Sequence, residues 1–297
     1  MTKRIDLHTH TTASDGSLTP SQLVDRARTL GFGAIAVTDH DTVAGVLPAC
    51  AHAKDTALTV VSGVEMGAKY PGEMHILGLG VDVHNHELLD VLVSLREGRK
   101  DRNRRMVKKL RALGLPVSWA EICSGREESV IGRAHIAHAL IKNGVVPNMA
   151  QAFEKYLGEG AKAYVERMRL TPAHTIEIIG RAGGLSVLAH PVQLKLDDPS
   201  LYALCKALKG YGLWGIEAYH PLHNGAQTAF YLRLAKRLGL MVTGGSDFHG
   251  ENKPDVELGD SVMQCAEMEK TLHLLESRAG CRQSDEDVAF IQGEHKS

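Results

Sequence analysis

The chain has 297 residues, 43% of them hydrophobic and 23% charged, and 34 Lys and Arg against 35 Asp and Glu leave a formal net charge of −1. That length suits one large domain, or a barrel-sized domain with an insertion, and the charge balance excludes binding of nucleic acid or membrane surface through global charge. The start reads as no secretory signal, no stretch approaches the roughly 18 apolar residues that span a bilayer, and five scattered cysteines without a CxxC pair read as reduced thiols, so the expectation is a cytoplasmic protein without a membrane partner.

Apolar, β-branched runs alternate with helical patterns along the chain. Strands are expected at "RIDL" (4–7), "AIAVT" (34–38), "TVVSGV" (59–64), "HILGLG" (75–80), "LSVLA" (185–189), "WGIEAY" (214–219) and "MVTG" (241–244). After the first strand, Thr19 can cap a helix, Pro20 suits its first turn and Gly31 ends it. Thr171, Pro172 and Gly183–Gly184 repeat the scheme, and a further helix occupies 224–239. Seven strands alternating with helices indicate an α/β fold, a (β/α)7 barrel rather than an open sheet. One connection departs from the rule: Glu65 to Met74 is too short for a crossover helix, so strands three and four should form an antiparallel hairpin. Residues 98–165 are helical in pattern with few strand signals and read as a helical insertion on the rim that carries the site. The barrel is then discontinuous, 1–97 and 166–285, with a weakly ordered tail at 286–297.

Sixteen histidines are present, several beside acids: "HTH", "TDHD", "AHP", "YHPLH" and "SDFH". His8 and His10 follow strand one, Asp39 and His40 strand two, Glu65 strand three, His190 strand five, Glu217 and His220 strand six, Asp247 and His249 strand seven. If strand four runs backwards, His75 joins the same rim, and every cluster lies at one end of the barrel. In an extended segment residues i and i+2 point the same way, so His8 and His10 can grip one ion together. A lone histidine such as His75 or His190 in an apolar run is more often a hydrogen-bonded core residue; several such clusters on one rim are not. Imidazoles with carboxylates and no cysteine suit Mn²⁺, Fe²⁺ or Zn²⁺ rather than a thiolate site. Glu65 could bridge two ions about 3.5–4 Å apart, a separation used for in-line displacement at phosphorus.

"DLHTHTTASDGSLTP", "AVTDHDTVAG", "GVEM", "LAHP" and "GGSDFHG" together resemble the PHP family, named for polymerase and histidinol phosphatase. The resemblance implies a distorted seven-stranded β/α barrel whose site binds two or three divalent ions and hydrolyses phosphate esters. Carried over motif by motif, it implies that His8, His10, Glu65 and Asp247 hold a first ion, Glu65, His75 and His190 a second, and Asp15, His40 and His249 a third. Some relatives have histidine where Asp15 stands, a change that could weaken the third site or favour manganese. Mn²⁺ is therefore the first expectation for the cofactor, with Zn²⁺, Fe²⁺ or Mg²⁺ as alternatives. Asp6 and Asp39, each close to a ligand histidine, are candidates to orient imidazoles.

In the resemblance's terms, a hydroxide activated at the metals attacks phosphorus while the ions neutralise its oxygens, with Asp247, His220 and His223 as catalytic candidates. "IGRAHIAHAL" places Arg133 and His135 at a helix start, where guanidinium and helix dipole favour phosphate; it is similar to "GRPHIA" in one branch of the family, with Ala134 replacing proline. His220 and His223 could also contact substrate. That branch resembles stand-alone enzymes that remove the 3′-phosphate of nucleoside 3′,5′-bisphosphates, the reading taken here. The alternatives are a 5′-to-3′ exoribonuclease on short 5′-phosphorylated RNA, a histidinol-phosphate phosphatase, and a catalytically silent metal-binding module. The partner is then a small nucleotide or short oligonucleotide. Nine Lys/Arg against two acids between Arg96 and Arg111 read first as a solvated helix face, although beside a phosphate site they could steer a polyanion.

Overall fold

A computed structural model describes residues 4–124, 128, 131–260 and 266–279. All seven expected strands form: β1 (Arg4–Thr9), β2 (Phe32–Val37), β3 (Thr59–Ala68), β4 (Met74–Leu79), β5 (Leu185–Leu188), β6 (Gly215–Tyr219) and β7 (Met241–Gly244). They make one mixed sheet in sequence order. Every residue of β2 is buried, as the continuous apolar run requires of a strand covered on both faces. Pairing is parallel from β1 to β3 and from β5 to β7; β4 is antiparallel to both neighbours. The reversal follows from the short β3–β4 turn, where Pro71 precedes Gly72 at φ +95°. Among the described residues no strand ladder joins β7 to β1, so the sheet is not closed. Just beyond those strands, however, Thr9 and Phe248 form an isolated parallel bridge, the Asp247 N–H donates to the His8 carbonyl at 2.9 Å, and the His10 N–H donates to the Phe248 carbonyl at 2.9 Å.

The helices are α1 (Pro20–Thr29), α2 (Val46–Ala53), α3 (His86–Ala112), α4 (Trp119–Cys123), α5 (Arg133–Lys142), α6 (Met149–Ala152), α7 (Pro172–Arg181), α8 (Asp198–Gly210), α9 (Gly225–Leu238) and α10 (Ala266–Ala279). Their starts obey local chemistry. Thr19 and Gln22 form a reciprocal capping box with Pro20 at the first helical position, Thr171 caps α7, and Asn224 with Gln227 caps α9. No helix among the described residues is long and apolar enough to cross a membrane.

Two apolar cores result. One packs the strands against α1, α2, α7, α8 and α9, and takes Leu88, Leu92 and Leu95 from the first half of α3. The other joins Met106, Val107 and Leu110 from its second half to Ile136 and Leu140 of α5 and to Leu157. At 27 residues α3 is about 40 Å long and runs unbroken through both. The boundary expected between 97 and 98 therefore falls inside one helix. Between the two cores the same buried stripe of α3 carries Arg99, Arg102 and Asn103 instead of apolar side chains. Cys123 and Cys205 are free thiols, and Cys205 is buried. The tail expected at 286–297 lies outside the described residues.

Candidate active site

The ends of six strands deliver their polar side chains to one place. His8 and His10 are fully buried on β1 and just past it, and Glu65, near the middle of β3, is 1% exposed. Glu65 is the hub. Its Oε1 lies 2.8 Å from His75 Nδ1 and 3.1 Å from His190 Nε2; its Oε2 lies 2.9 Å from His40 Nδ1, 3.3 Å from His10 Nε2 and 3.5 Å from His8 Nε2. Asp247 Oδ1 sits 3.5 Å from His8 Nε2 and 3.3 Å from His10 Nε2, so both carboxylates address the same two imidazole nitrogens. Asp15 faces His249 Nε2 at 3.4 Å, His10 Nδ1 at 3.7 Å and His40 Nε2 at 3.8 Å.

Three groups of side chains offer donor atoms within 4.8 Å of one another: His8, His10, Glu65 and Asp247; His10, Asp15, His40 and His249; and His40, Glu65 and His75. Each is of the kind that holds a hard divalent cation, and they share members as a multinuclear centre does. The atoms themselves carry the test of fit. His8 Nε2, His10 Nε2, His75 Nδ1, Glu65 Oε2 and Asp15 Oδ1 are buried and make no hydrogen bond, although each lies within 4 Å of an opposite partner. Their lone pairs converge without the alignment of hydrogen bonds, an arrangement that costs free energy unless something else fills it.

Electrostatics agrees. Despite burial, the Glu217, Glu65 and Asp247 carboxylates hold His8 well above the usual imidazole range. Burial likewise opposes charge on His10, yet the neighbouring Asp247 and Glu65 carboxylates raise it to about 10. Burial would raise Asp15, Glu65 and Asp247, but the surrounding imidazoles hold all three well below the usual carboxylate range. The cluster thus demands positive charge. Protons meet that demand only by charging buried imidazoles; divalent cations meet it with the imidazoles neutral.

The backbone is forced to aim these groups. Asp41, His190 and Asp247, each at or just beyond a strand end, have φ of 53°, 24° and 55°, a region that side chains normally avoid. Gly245 is required by close approach: a Cβ there would meet the His8 Cβ at 2.2 Å.

The supporting contacts differ from expectation. Asp6 touches no imidazole. It accepts from the His8, Ser246 and Gly259 N–H groups and the Ser246 hydroxyl, pinning β1 to the chain beyond β7. Asp39 accepts from the Thr11 N–H and hydroxyl and from Ser14 Oγ at 2.6 Å, reaching His10 only through Ser14. The carboxylate that orients an imidazole is Glu217: its Oε1 lies 3.1 Å from His8 Nδ1 and its Oε2 accepts the His190 N–H at 2.6 Å. The acid at the end of "WGIEAY" was visible in the sequence, but nothing there distinguished it from a capping carboxylate.

A cavity of about 1090 Å³ opens from the cluster toward the second core. Asp15, His40, Glu65, His75, His190, Asp247 and His249 line one end. Arg133 and His135 line the other, as the helix-start motif suggested, and the Gly132 N–H donates to His135 Nδ1 at 3.0 Å. His220 and His223 are not among the residues that line the cavity. His220 Nε2 stands 3.8 Å from Asp247 Oδ2; His223, behind it, is directed at the Ala218 carbonyl at 3.0 Å, and burial pushes its pKa down to about 4.

Sequence reasoning missed most of the far wall. Arg99 and Arg102 from α3 and Arg167 and Arg169 from the return segment (residues 158–171, leading from the second core to α7) stand with Arg133 around the cavity. Arg99 Nη2 meets Asp41 Oδ2 at 2.5 Å, and Arg167 binds the same oxygen. Arg133 Nη2 meets Glu73 Oε1 at 2.5 Å and Arg169 Nη2 meets Glu73 Oε2 at 3.2 Å. Arg102 is 6% exposed, and its Nε makes no hydrogen bond. Burial, then the charges of Arg133, Arg167, Arg99 and Arg169, lowers it to about 8. Five guanidinium groups meet two carboxylates, Asp41 and Glu73, while Glu121 pairs with Lys142, and this wall is left short of anions. Lys253 Nζ, 2.7 Å from Asp247 Oδ2, adds a cation at the edge of the cluster.

Comparison with known proteins gives consistent results. The PHP domain description matches residues 6–167. A 5′-3′ exoribonuclease of Haemophilus influenzae is 35% identical over 89% of this chain and 98% of its own. A 3′,5′-nucleoside bisphosphate phosphatase of Chromobacterium violaceum is 34% identical over 85% of this chain and 90% of its own. Among solved structures, an amidohydrolase from Chromobacterium violaceum, with bound sulfate and no metal, superposes with a TM-score of 0.84 at 31% identity, covering 93% of this chain and 96% of that one.

Proposed function

The chain belongs to the PHP domain family and is a metal-dependent phosphoesterase, and from that premise we propose that its substrate is a nucleoside 3′,5′-bisphosphate, from which it removes the 3′-phosphate. The observation that carries the reading is the pairing of two complementary sites in one cavity: a cluster that demands cations, and a wall of five arginines that demands anions. A monophosphate needs only the first. A nucleotide with two phosphates on one ribose uses both.

We assign His8, His10, Glu65 and Asp247 to one ion, with Glu65, His75 and His190 toward a second, and Asp15, His40 and His249 toward a third; Mn²⁺ is the ion we expect. Divalent ions held there would lower the pKa of an attacking water and neutralise oxygens of the scissile phosphate. The protein's own part is positional. Glu217 and Asp6 keep His8 and the chain after β7 in register, and Ser14, held by Asp39, steadies His10. Arg102, Arg133, Arg167 and Arg169 bind the phosphate that is not cleaved, by charge-assisted hydrogen bonds. Ile122, Ala139 and Phe153 give the base an apolar surface without a hydrogen-bonding code. The architecture we propose is a distorted barrel closed by the main-chain contacts past β1 and β7, with the second apolar core as its helical insertion.

A second reading, 5′-to-3′ exoribonuclease, draws support from the similarity to the Haemophilus influenzae enzyme and from Arg105, Lys108 and Arg111, which stand exposed on the solvent side of α3, where a longer polyanion could run. The test is a panel of adenosine 3′,5′-bisphosphate, short 5′-phosphorylated RNA and histidinol phosphate with added Mn²⁺, with bound metal counted. Our reading expects the bisphosphate to be turned over with at least about tenfold higher kcat/KM than the other two: histidinol phosphate fills one site only, and RNA, which also brings two phosphates on one ribose, adds a 3′-linked nucleotide that the cavity must hold as well. Preference for RNA would install the second reading, and preference for histidinol phosphate would overturn both.

A further inference from the structure

Glu73 stands immediately before β4, in the turn from β3, and its carboxylate reaches into the arginine wall. Oε1 is 2.5 Å from Arg133 Nη2 and Oε2 is 3.2 Å from Arg169 Nη2, so one carboxylate joins guanidinium groups from α5 and from the return segment. Its remaining neighbour is His75, whose Nε2 is 3.8 Å from Oε2. That is the pattern a phosphate would make, two oxygens on two arginines. The other acid of the wall is placed differently. The Asp41 side chain is 1% exposed and held by two arginines, Arg99 buried and Arg167 largely so, a fixed part of the protein. The Glu73 side chain is 40% exposed, in the turn beside Gly72, so water lies next to it. A carboxylate in a cavity meant for phosphate repels its ligand unless it moves.

We propose that Glu73 is a built-in competitor: in the free protein it occupies Arg133 and Arg169, and the uncleaved phosphate of the substrate displaces it into solvent. This rests on reading the cavity's far end as a phosphate site. Each of the two Glu73 carboxylate oxygens faces a guanidinium group, Arg133 on one side and Arg169 on the other, so the side chain takes the place of an anion. It keeps the two guanidinium groups in place before substrate arrives. It also raises the concentration at which any anion binds, and the product, with one phosphate fewer, is then the ligand least able to hold the site.

The experiment measures binding of sulfate and of adenosine 5′-phosphate to the metal-loaded protein by calorimetry, for the wild type, Glu73→Gln and Glu73→Asp. The neutral amide should tighten both ligands by about three- to tenfold, the scale of one partly exposed charge pair, and lower KM without raising kcat, while Glu73→Asp stays near the wild type. A brace that merely orders the arginines would give the opposite sign. Unchanged or weaker binding in Glu73→Gln therefore overturns the proposal. Tighter sulfate with no advantage for adenosine 5′-phosphate upholds Glu73 as competitor and counts against the nucleotide reading instead. A sulfate soak of wild-type crystals needs no variant: sulfate between Arg133 and Arg169 with Glu73 turned away supports displacement, and Glu73 still on Arg133 with sulfate elsewhere overturns it.

Discussion

His8 and His10 reach their site from one strand end at the i, i+2 spacing that an extended chain imposes, with both side chains fully buried. Arg99, Arg102, Arg133, Arg167 and Arg169 reach theirs from a helix face, a helix start and a connecting segment, at the seam where the two apolar cores meet. The two halves of the cavity hold opposite charges on supports of different kinds. Strand ends locked in a ladder fix positions closely, as a cation shared by several ligands requires. A seam between cores allows adjustment, which suits a ligand that varies. Under the proposed function the difference means that the chemistry is set on one side of the cavity and the choice of substrate on the other, and each side should respond separately to mutation.

The largest effect is expected at the cation side. Asp247→Ala or His10→Ala should reduce metal-dependent phosphate release by more than about 100-fold, with loss of bound metal by elemental analysis and an intact circular dichroism spectrum. Near-normal activity or metal content in either variant would remove the assignment of these residues as ligands. Glu217→Gln probes the same side one contact further out. Losing the carboxylate on His8 Nδ1 should weaken metal binding by roughly 10–100-fold, so that activity returns at higher metal concentration. Activity that no metal concentration restores would mean that Glu217 does something other than orient His8.

On the anion side the effect should be smaller and selective. Arg133→Ala removes one charge-assisted contact and should lower kcat/KM for adenosine 3′,5′-bisphosphate by about tenfold, while an aryl phosphate with a single phosphate changes little. Equal losses on the two substrates would merge the halves and defeat the division of labour.

The two halves also differed in how far the sequence disclosed them. The strands were readable because their apolar runs are long and bounded by polar clusters, and the hairpin followed from too short a connection. The histidines were readable because imidazole beside carboxylate at the end of a strand has few other meanings. The arginines were not, since nine basic residues in a row of sixteen look like a solvated face. The missed signal was periodicity. Leu88, Leu92, Leu95, Arg99, Arg102, Met106 and Leu110 form one buried stripe, in which the arginines stand where a core residue belongs. Arg167 and Arg169 repeat the i, i+2 spacing of His8 and His10 in "VERMRL", a segment that forms no strand of the sheet. Asp6 and Glu217 could not be told apart by sequence, because each is an acid on a strand of the same sheet, and only the three-dimensional register decides which meets an imidazole and which meets the main chain.

Asp41 is where the halves touch, and it gives the subtlest test. Its neighbour His40 faces the cluster, its N–H donates to the Glu65 carbonyl at 2.9 Å, and its carboxylate holds Arg99 and Arg167. Burial would raise its pKa, but Arg167 and Arg99 lower it from 3.8 to about 2. A folded-state pKa below the unfolded value means that the unfolded chain takes up the proton first, so this stabilisation is complete above about pH 5 and is lost as pH falls toward 2. Asp41→Asn keeps a side chain that tolerates the φ of 53° and cannot titrate. Between pH 6 and pH 3 the wild type should therefore lose about 1 kcal/mol more unfolding free energy than Asp41→Asn, measured by urea denaturation of both proteins at each pH. Parallel pH profiles would show that the arginine wall does not draw on the Asp41 charge, and the link between the two halves would then rest on the backbone contact to Glu65 alone.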